Sequence, residues 1–223
     1  MISEGLKILF TFFFGFSAFF LDPAADLKEK VKILPPPEGV EYFHFGFKDS
    51  FADMFWLGFI QSAFDCSKYK DPNKEYCPYR WGYKTLNTAS ILAPKFEALY
   101  KFGAVKLTVL LDDHEGAAEL FERGLSYITD SWVLNYRAAY LYLQELKDFN
   151  RAGKLLENAA VLGAPFWTRS LASRMYNKSG QLELGYRILE DLHRESPEGP
   201  WRTDLEERMA KIAEKLRASG ELE

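Results

Sequence analysis

The chain is poor in the residues that most enzymatic chemistry needs. Its 223 residues include three histidines, His44, His114 and His193, and two cysteines, Cys66 and Cys77. The histidines lie far apart, and two cysteines with no histidine nearby leave a zinc ion short of ligands. A G-x-x-x-x-G-K loop is missing, as is a G-x-G-x-x-G after a strand pattern, so phosphate cradles are not supported. There is no basic stripe either. The 28 Lys and Arg are set against 32 Asp and Glu spread along the chain, for a net charge of -4, which argues against a nucleic-acid partner. The stretch HEGAA from His114 begins like a metalloprotease helix but lacks the second histidine, and reads as the acidic start of a helix. Asp112 and Asp113 fall at a helix-to-helix turn, where carboxylates are solvated rather than tuned for acid–base work. These absences predict a protein that is not an enzyme and has no cofactor, metal site or small-molecule substrate.

A full-length membrane span is also missing, though one segment comes close. Leu6 to Leu21 is apolar except for Lys7, and supplies sixteen residues where a spanning helix needs about 20. Lys7 can snorkel to the interface, so the expectation is an uncleaved anchor over residues 1–21 in a locally thinned bilayer. A cleaved signal peptide and a buried helix are the alternatives. The first needs small residues at the cleavage site, and Pro23 before Ala25 or Phe16 before Ala18 serves poorly. No cysteine follows the run, which excludes a lipoprotein anchor.

The side of the membrane is argued both ways. Lys28, Lys30 and Lys32 after the run favour a cytoplasmic C-terminal part. Cys66 and Cys77, eleven residues apart around the polar SKYKDPNKEY, suit a disulfide closing a surface loop in an oxidising compartment. Such a closure is worth roughly 2–3 kcal/mol; two free thiols are the alternative. The expected location is the inner membrane, single-pass, with the C-terminal domain in the periplasm.

Residues 22–49 read as a stalk: a helix capped by Asp22 with Leu27, Val31 and Leu34 at helical spacing, then the stiff spacer PPPEG at 35–39. Tyr42 to Phe47 alternates in an extended pattern, apolar enough to lie in a groove of the same chain. From Ser50 the apolar residues fall on every side, which predicts a mostly enclosed helix. A second helix follows the cysteine loop and stops before Pro94.

Beyond Pro94 the sequence repeats. Ala117, Ala152 and Gly185 align at offsets of 35 and 33, as do Phe121, Leu156 and Leu189. A period near 34 signals a helix-pair solenoid. Tyr136, Ala139 and Leu143 on one helix and Ala152, Leu156 and Ala159 on the next resemble the tetratricopeptide repeat family, as do Ala172, Tyr176, Gly180, Gly185, Leu189 and the closing Pro197. Tyr140 stands where that family has glycine, which would part the helices or swing the ring outward. Gly103 sits at the matching place one unit earlier, with extra residues expected in the loop to Ala117.

The expected fold is all-α: TPR-like repeats over 50–200, with 50–93 a degenerate first pair. A capping helix over 201–223 would turn Leu205, Met209, Ile212 and Leu216 inward. The resemblance implies a face lined by first helices that binds protein segments. It would place Leu134, Arg137, Leu141 and Gln144 inward in the middle unit, and Trp167, Ser170, Arg174 and Asn177 in the last. Arginines, amides and a tryptophan suit an extended acidic segment. The expected role is a membrane-tethered adaptor, bound to protein partners in or near the membrane, that helps assemble a bacterial envelope complex such as secretion, pilus or motility machinery. A secreted soluble peptide-binding module and a thiol-dependent enzyme are the alternatives.

Overall fold

The computed structural model describes residues 33–68 and 77–219, and the expected anchor at 1–21 lies outside them. Among the described residues there are nine α-helices and no strand. They are α1 (Lys48–Lys68), α2 (Trp81–Leu92), α3 (Ala104–Leu111), α4 (His114–Tyr127), α5 (Trp132–Gln144), α6 (Phe149–Val161), α7 (Trp167–Lys178), α8 (Leu182–Glu195) and α9 (Pro200–Ser219). From α3 onward each helix packs on the next, and α1 and α2 pair with each other at the start. Short connections between consecutive packed helices make an array of antiparallel pairs. This is the helix-pair solenoid that the repeat pattern implies.

The residues behind the 35 and 33 offsets form the inner face of each second helix. Ala117, Phe121 and Gly124 on α4, Ala152, Leu156 and Ala159 on α6, and Gly185, Leu189 and Leu192 on α8 are all buried. Small residues let the first helix approach, and the large one fills the space between turns; each buried leucine contributes about 1.5–3 kcal/mol. Side chains define three of the starts. Asp113 accepts from Gly116 N at 2.8 Å, Ser131 from Leu134 N at 3.3 Å, and Asp148 from Arg151 N at 2.9 Å. Each such cap is worth about 1 kcal/mol.

Four expectations are corrected. The loop before α4 carries no extra residues, being only Asp112 and Asp113. The added length is taken up in a π-helical turn, Leu99–Gly103, which runs into α3 and is wider than an α turn. Tyr42 to Phe47 is not extended: Val40–Tyr42 is a 3-10 turn, and Phe45 and Gly46 have positive φ. Nor does it lie in a groove, because Tyr42, Phe43, Phe45 and Phe47 are exposed. Finally, α1 is not enclosed. As the first element of the array it packs only toward α2 and α3, leaving Met54, Leu57, Ile60 and Phe64 outward.

The inward side of α1 closes an aromatic core. Phe59 stacks on Trp81 with centroids 5.9 Å apart, Trp56 meets Phe96 edge-on at 5.9 Å, and Trp81 Nε1 donates to the Leu34 carbonyl at 3.2 Å. Cys66 and Cys77 form a disulfide with their Cα atoms 5.8 Å apart, tying the end of α1 to the approach to α2. At the other end α9 buries Leu205, Ile212 and Leu216, with Met209 packed against the core.

Candidate interaction face

The first helices of the pairs, α3, α5 and α7, are joined edge to edge by side chains. Arg137 on α5 donates to the Lys101 carbonyl of the π turn, and its guanidinium lies 4.6 Å from the Phe102 ring centroid. A π turn displaces carbonyls from their helical partners, and this one finds a guanidinium. Tyr136 on α5 meets Trp167 on α7 edge-on, centroids 5.6 Å apart. Arg208 on α9 then donates to Ser170 of α7, at 2.6 Å to Oγ and 3.2 Å to the carbonyl. The links Phe102–Arg137, Tyr136–Trp167 and Ser170–Arg208 thus run in series across four helices.

Apart from Glu97 in the helical turn just before the π turn, the charges on this row are of one sign. Leu99 to Leu111, Trp132 to Gln144 and Trp167 to Lys178 contain Lys101, Lys106, Arg137, Arg169, Arg174 and Lys178 and no aspartate or glutamate. Lys101 is paired with Glu97, and Arg169 with Glu195 at 2.6 Å. Arg174 is exposed, with no carboxylate partner among the described residues. Arg208 lies under it, 14% exposed in its side chain and 3.6 Å from Asp204. Burial, then the adjacent Arg174 charge, hold the Arg208 guanidinium below the usual arginine value, against the pull of Asp204. Two cations are therefore close together where one carboxylate does not offset both.

Three glutamates on the second helices α4 and α6 are engaged with neighbouring helices. Glu119 on α4 accepts from the Tyr83 hydroxyl and from Arg80 Nη2, the latter at 2.8 Å. Glu122 accepts from Tyr142 at 2.7 Å and from Arg151 Nε at 3.0 Å and Nη2 at 2.5 Å. Glu157 on α6 accepts from Tyr176 at 2.7 Å. These bonds hold neighbouring helices together and lower Glu119 below the usual carboxylate range.

The expected groove residues divide accordingly. Arg137 is half-buried and bound within the array, while Gln144 and Arg174 are exposed and Trp167 is 39% exposed. Ser170 is 3% exposed beneath Arg208 and offers no open surface. Asn177 turns toward α8: a Cβ on Gly185 would stand 2.1 Å from its Oδ1. Leu134 and Leu141 are buried in the core. These four are corrections: Ser170 is covered by Arg208 from α9 and Asn177 is turned toward α8, while Leu134 and Leu141 face the core; Lys178, next to Asn177, is exposed.

Phe102 and Tyr140, 49% and 55% exposed, also face outward on this row, and nothing in the repeat spacing singles out Phe102. The Tyr140 ring is swung outward, one of the two outcomes open to a tyrosine at the family's glycine position. Arg208 was hidden among the charges of the capping helix. Among the described residues no group of histidine, cysteine and acidic side chains could hold a metal ion, and His114 instead sits 3.1 Å from Asp112 at the start of α4.

No protein-family model and no curated protein matches the chain. Among solved structures, one described as the MamA RS-1 ArsTM double mutant aligns at 17% identity, covering 76% of this chain and 96% of that chain with a TM-score of 0.43. The solenoid itself is given by the chain's own helix packing.

Proposed function

We propose that the chain is a non-enzymatic protein-interaction scaffold whose α3–α5–α7 face holds an extended acidic segment of a partner protein. The observation that supports this reading is the sorting of charge: Leu99 to Leu111, α5 and α7 carry cations alone, while Glu119, Glu122, Glu157 and Glu195 on the second helices are engaged between helices. Carboxylates laid along the row would find Arg174 and Lys178, with Trp167, Tyr140 and Phe102 as apolar anchors beside them. In this reading residues 1–21 tether the array to the inner membrane, the repeats stand in the periplasm beside an envelope complex, and the raised local concentration makes a modest groove affinity sufficient.

The test is titration of the full chain, by fluorescence polarisation, with a labelled glutamate-rich peptide and a glutamine-rich control. Saturable binding of the acidic peptide, weakened by salt and lost in Arg174→Glu, supports the reading. Equal binding of both peptides, or indifference to Arg174→Glu, rejects it. Protease protection of a tag after Glu223, in intact cells and after the outer barrier is opened, tests the periplasmic placement separately.

A further inference from the structure

The two ends of the array are finished differently. α9 turns Glu206, Glu207, Lys211, Glu214 and Lys215 to solvent, the polar outer face a terminal solenoid helix needs. α1, at the opposite end, turns out Met54, Leu57, Ile60 and Phe64, which are 37 to 63% exposed. Their three- and four-residue spacing draws one stripe along about 15 Å of helix, and Phe47 extends it at the N-terminal end. An apolar stripe of this kind on an end face marks an interaction surface.

We infer that this face of α1 rests on a lipid bilayer, with the stripe inserted at headgroup depth. The inference builds on the tether reading above and adds a second membrane contact to it. The position and composition of the preceding chain select the bilayer over other occupants. The apolar run ends at Leu21, and the chain rejoins the described fold at Ile33 and Leu34, where the Leu34 carbonyl accepts from Trp81 at the α1–α2 end of the array. The twelve steps between Leu21 and Ile33 span at most about 40 Å, so whatever receives the run lies within that distance of this end.

The run carries phenylalanine at 10, 12, 13, 14, 16, 19 and 20, which read as a helix puts aromatic rings on all sides. Docking along α1 would cover only one side of such a helix, and a second copy of the array would cover the stripe and leave the run bare. A bilayer accommodates both. Asp53, exposed and four residues before Leu57, shares the face of the stripe, with Asp49 one turn further back, so the stripe enters only to headgroup depth, where the carboxylates stay hydrated, and the attraction is apolar insertion rather than pairing with lipid phosphates. The contact therefore needs no anionic lipid and withstands salt.

The experiment reconstitutes the full chain into phosphatidylcholine vesicles, with a fluorophore on an added thiol at Leu57→Cys and, as a control, at Lys211→Cys. Both sites are outward-facing, and helical content by circular dichroism verifies the fold of each variant. Expected is quenching by a lipid-attached quencher several-fold stronger at position 57 than at 211, with a water-soluble quencher showing the reverse order, unchanged in high salt. Free access of the aqueous quencher at 57 would falsify the contact, and shielding from both quenchers would assign the stripe to protein and overturn it equally. Retention of the chain in vesicles after alkaline carbonate extraction reports on the tether alone. Retention without lipid quenching at 57 rejects only the α1 contact, whereas failure to enter the vesicles rejects both.

Discussion

The guanidinium of Arg137 lies over the Phe102 ring at 4.6 Å and donates to the Lys101 carbonyl beneath it, so one side chain clamps α5 to the π turn before α3. Removing it leaves that carbonyl without its donor and the ring without its cation. Arg137→Ala is expected to destabilise the fold by about 1–2 kcal/mol, read as a lower urea midpoint. An unchanged midpoint would show that the clamp is ornamental.

Tyr140 is the contrasting case, since its ring is swung out to solvent. Tyr140→Ala should leave the unfolding free energy from urea melts within about 0.5 kcal/mol of the parent while weakening the acidic-peptide binding proposed above. Loss of stability without loss of binding would place the ring in packing instead.

Tyr100 packs against Gly124, and a Cβ at that glycine would stand 2.6 Å from the ring's Cγ, with both residues buried. Neither the ring, whose hydroxyl donates to the Pro94 carbonyl at 2.9 Å, nor the helix backbone can yield easily. Gly124→Ala should therefore cost about 1–3 kcal/mol through overpacking, despite alanine's better helix propensity. A thermal midpoint at or above the parent's would refute this.

The Cys66–Cys77 disulfide closes a short loop between the first two helices. Reduction should lower stability by roughly 2–3 kcal/mol, mainly by freeing the unfolded chain. Urea melts with and without reductant measure this directly, and coincident curves would count against it.

Tyr83, Tyr100 and Tyr142 are pushed up to about 12, and Tyr176 is raised as well. Burial is the largest cause in each, followed by the glutamate partner for Tyr83, Tyr142 and Tyr176. A phenol whose folded pKa lies above its unfolded value of about 10 stabilises the fold fully below that value, and the contribution is lost as pH rises toward 12. Stability should fall across this interval, with phenolate absorbance rising late for these tyrosines. Titration of every tyrosine near the unfolded value would contradict the buried contacts.

Much of the architecture was legible in the chain itself. The 35- and 33-residue offsets of Ala117, Ala152 and Gly185 reported the helix pairs because one small and one large residue per second helix must recur wherever pairs stack. Likewise, Leu205, Ile212 and Leu216 marked the capping helix by a 3.6-residue period that only one buried face produces. What the tertiary structure alone decided was which residues face outward. The π turn at Leu99–Gly103 absorbed residues that spacing assigned to a loop, and contacts from α9 and α8 hid Ser170 and Asn177 while Lys178 is exposed. The apolar surround of α1 predicted enclosure, but enclosure depends on how many neighbours the array supplies, and its first helix has them on one side only. Periodicity encodes a helix's own faces; which face meets protein, and which is left for a partner, is settled by the positions of the other helices.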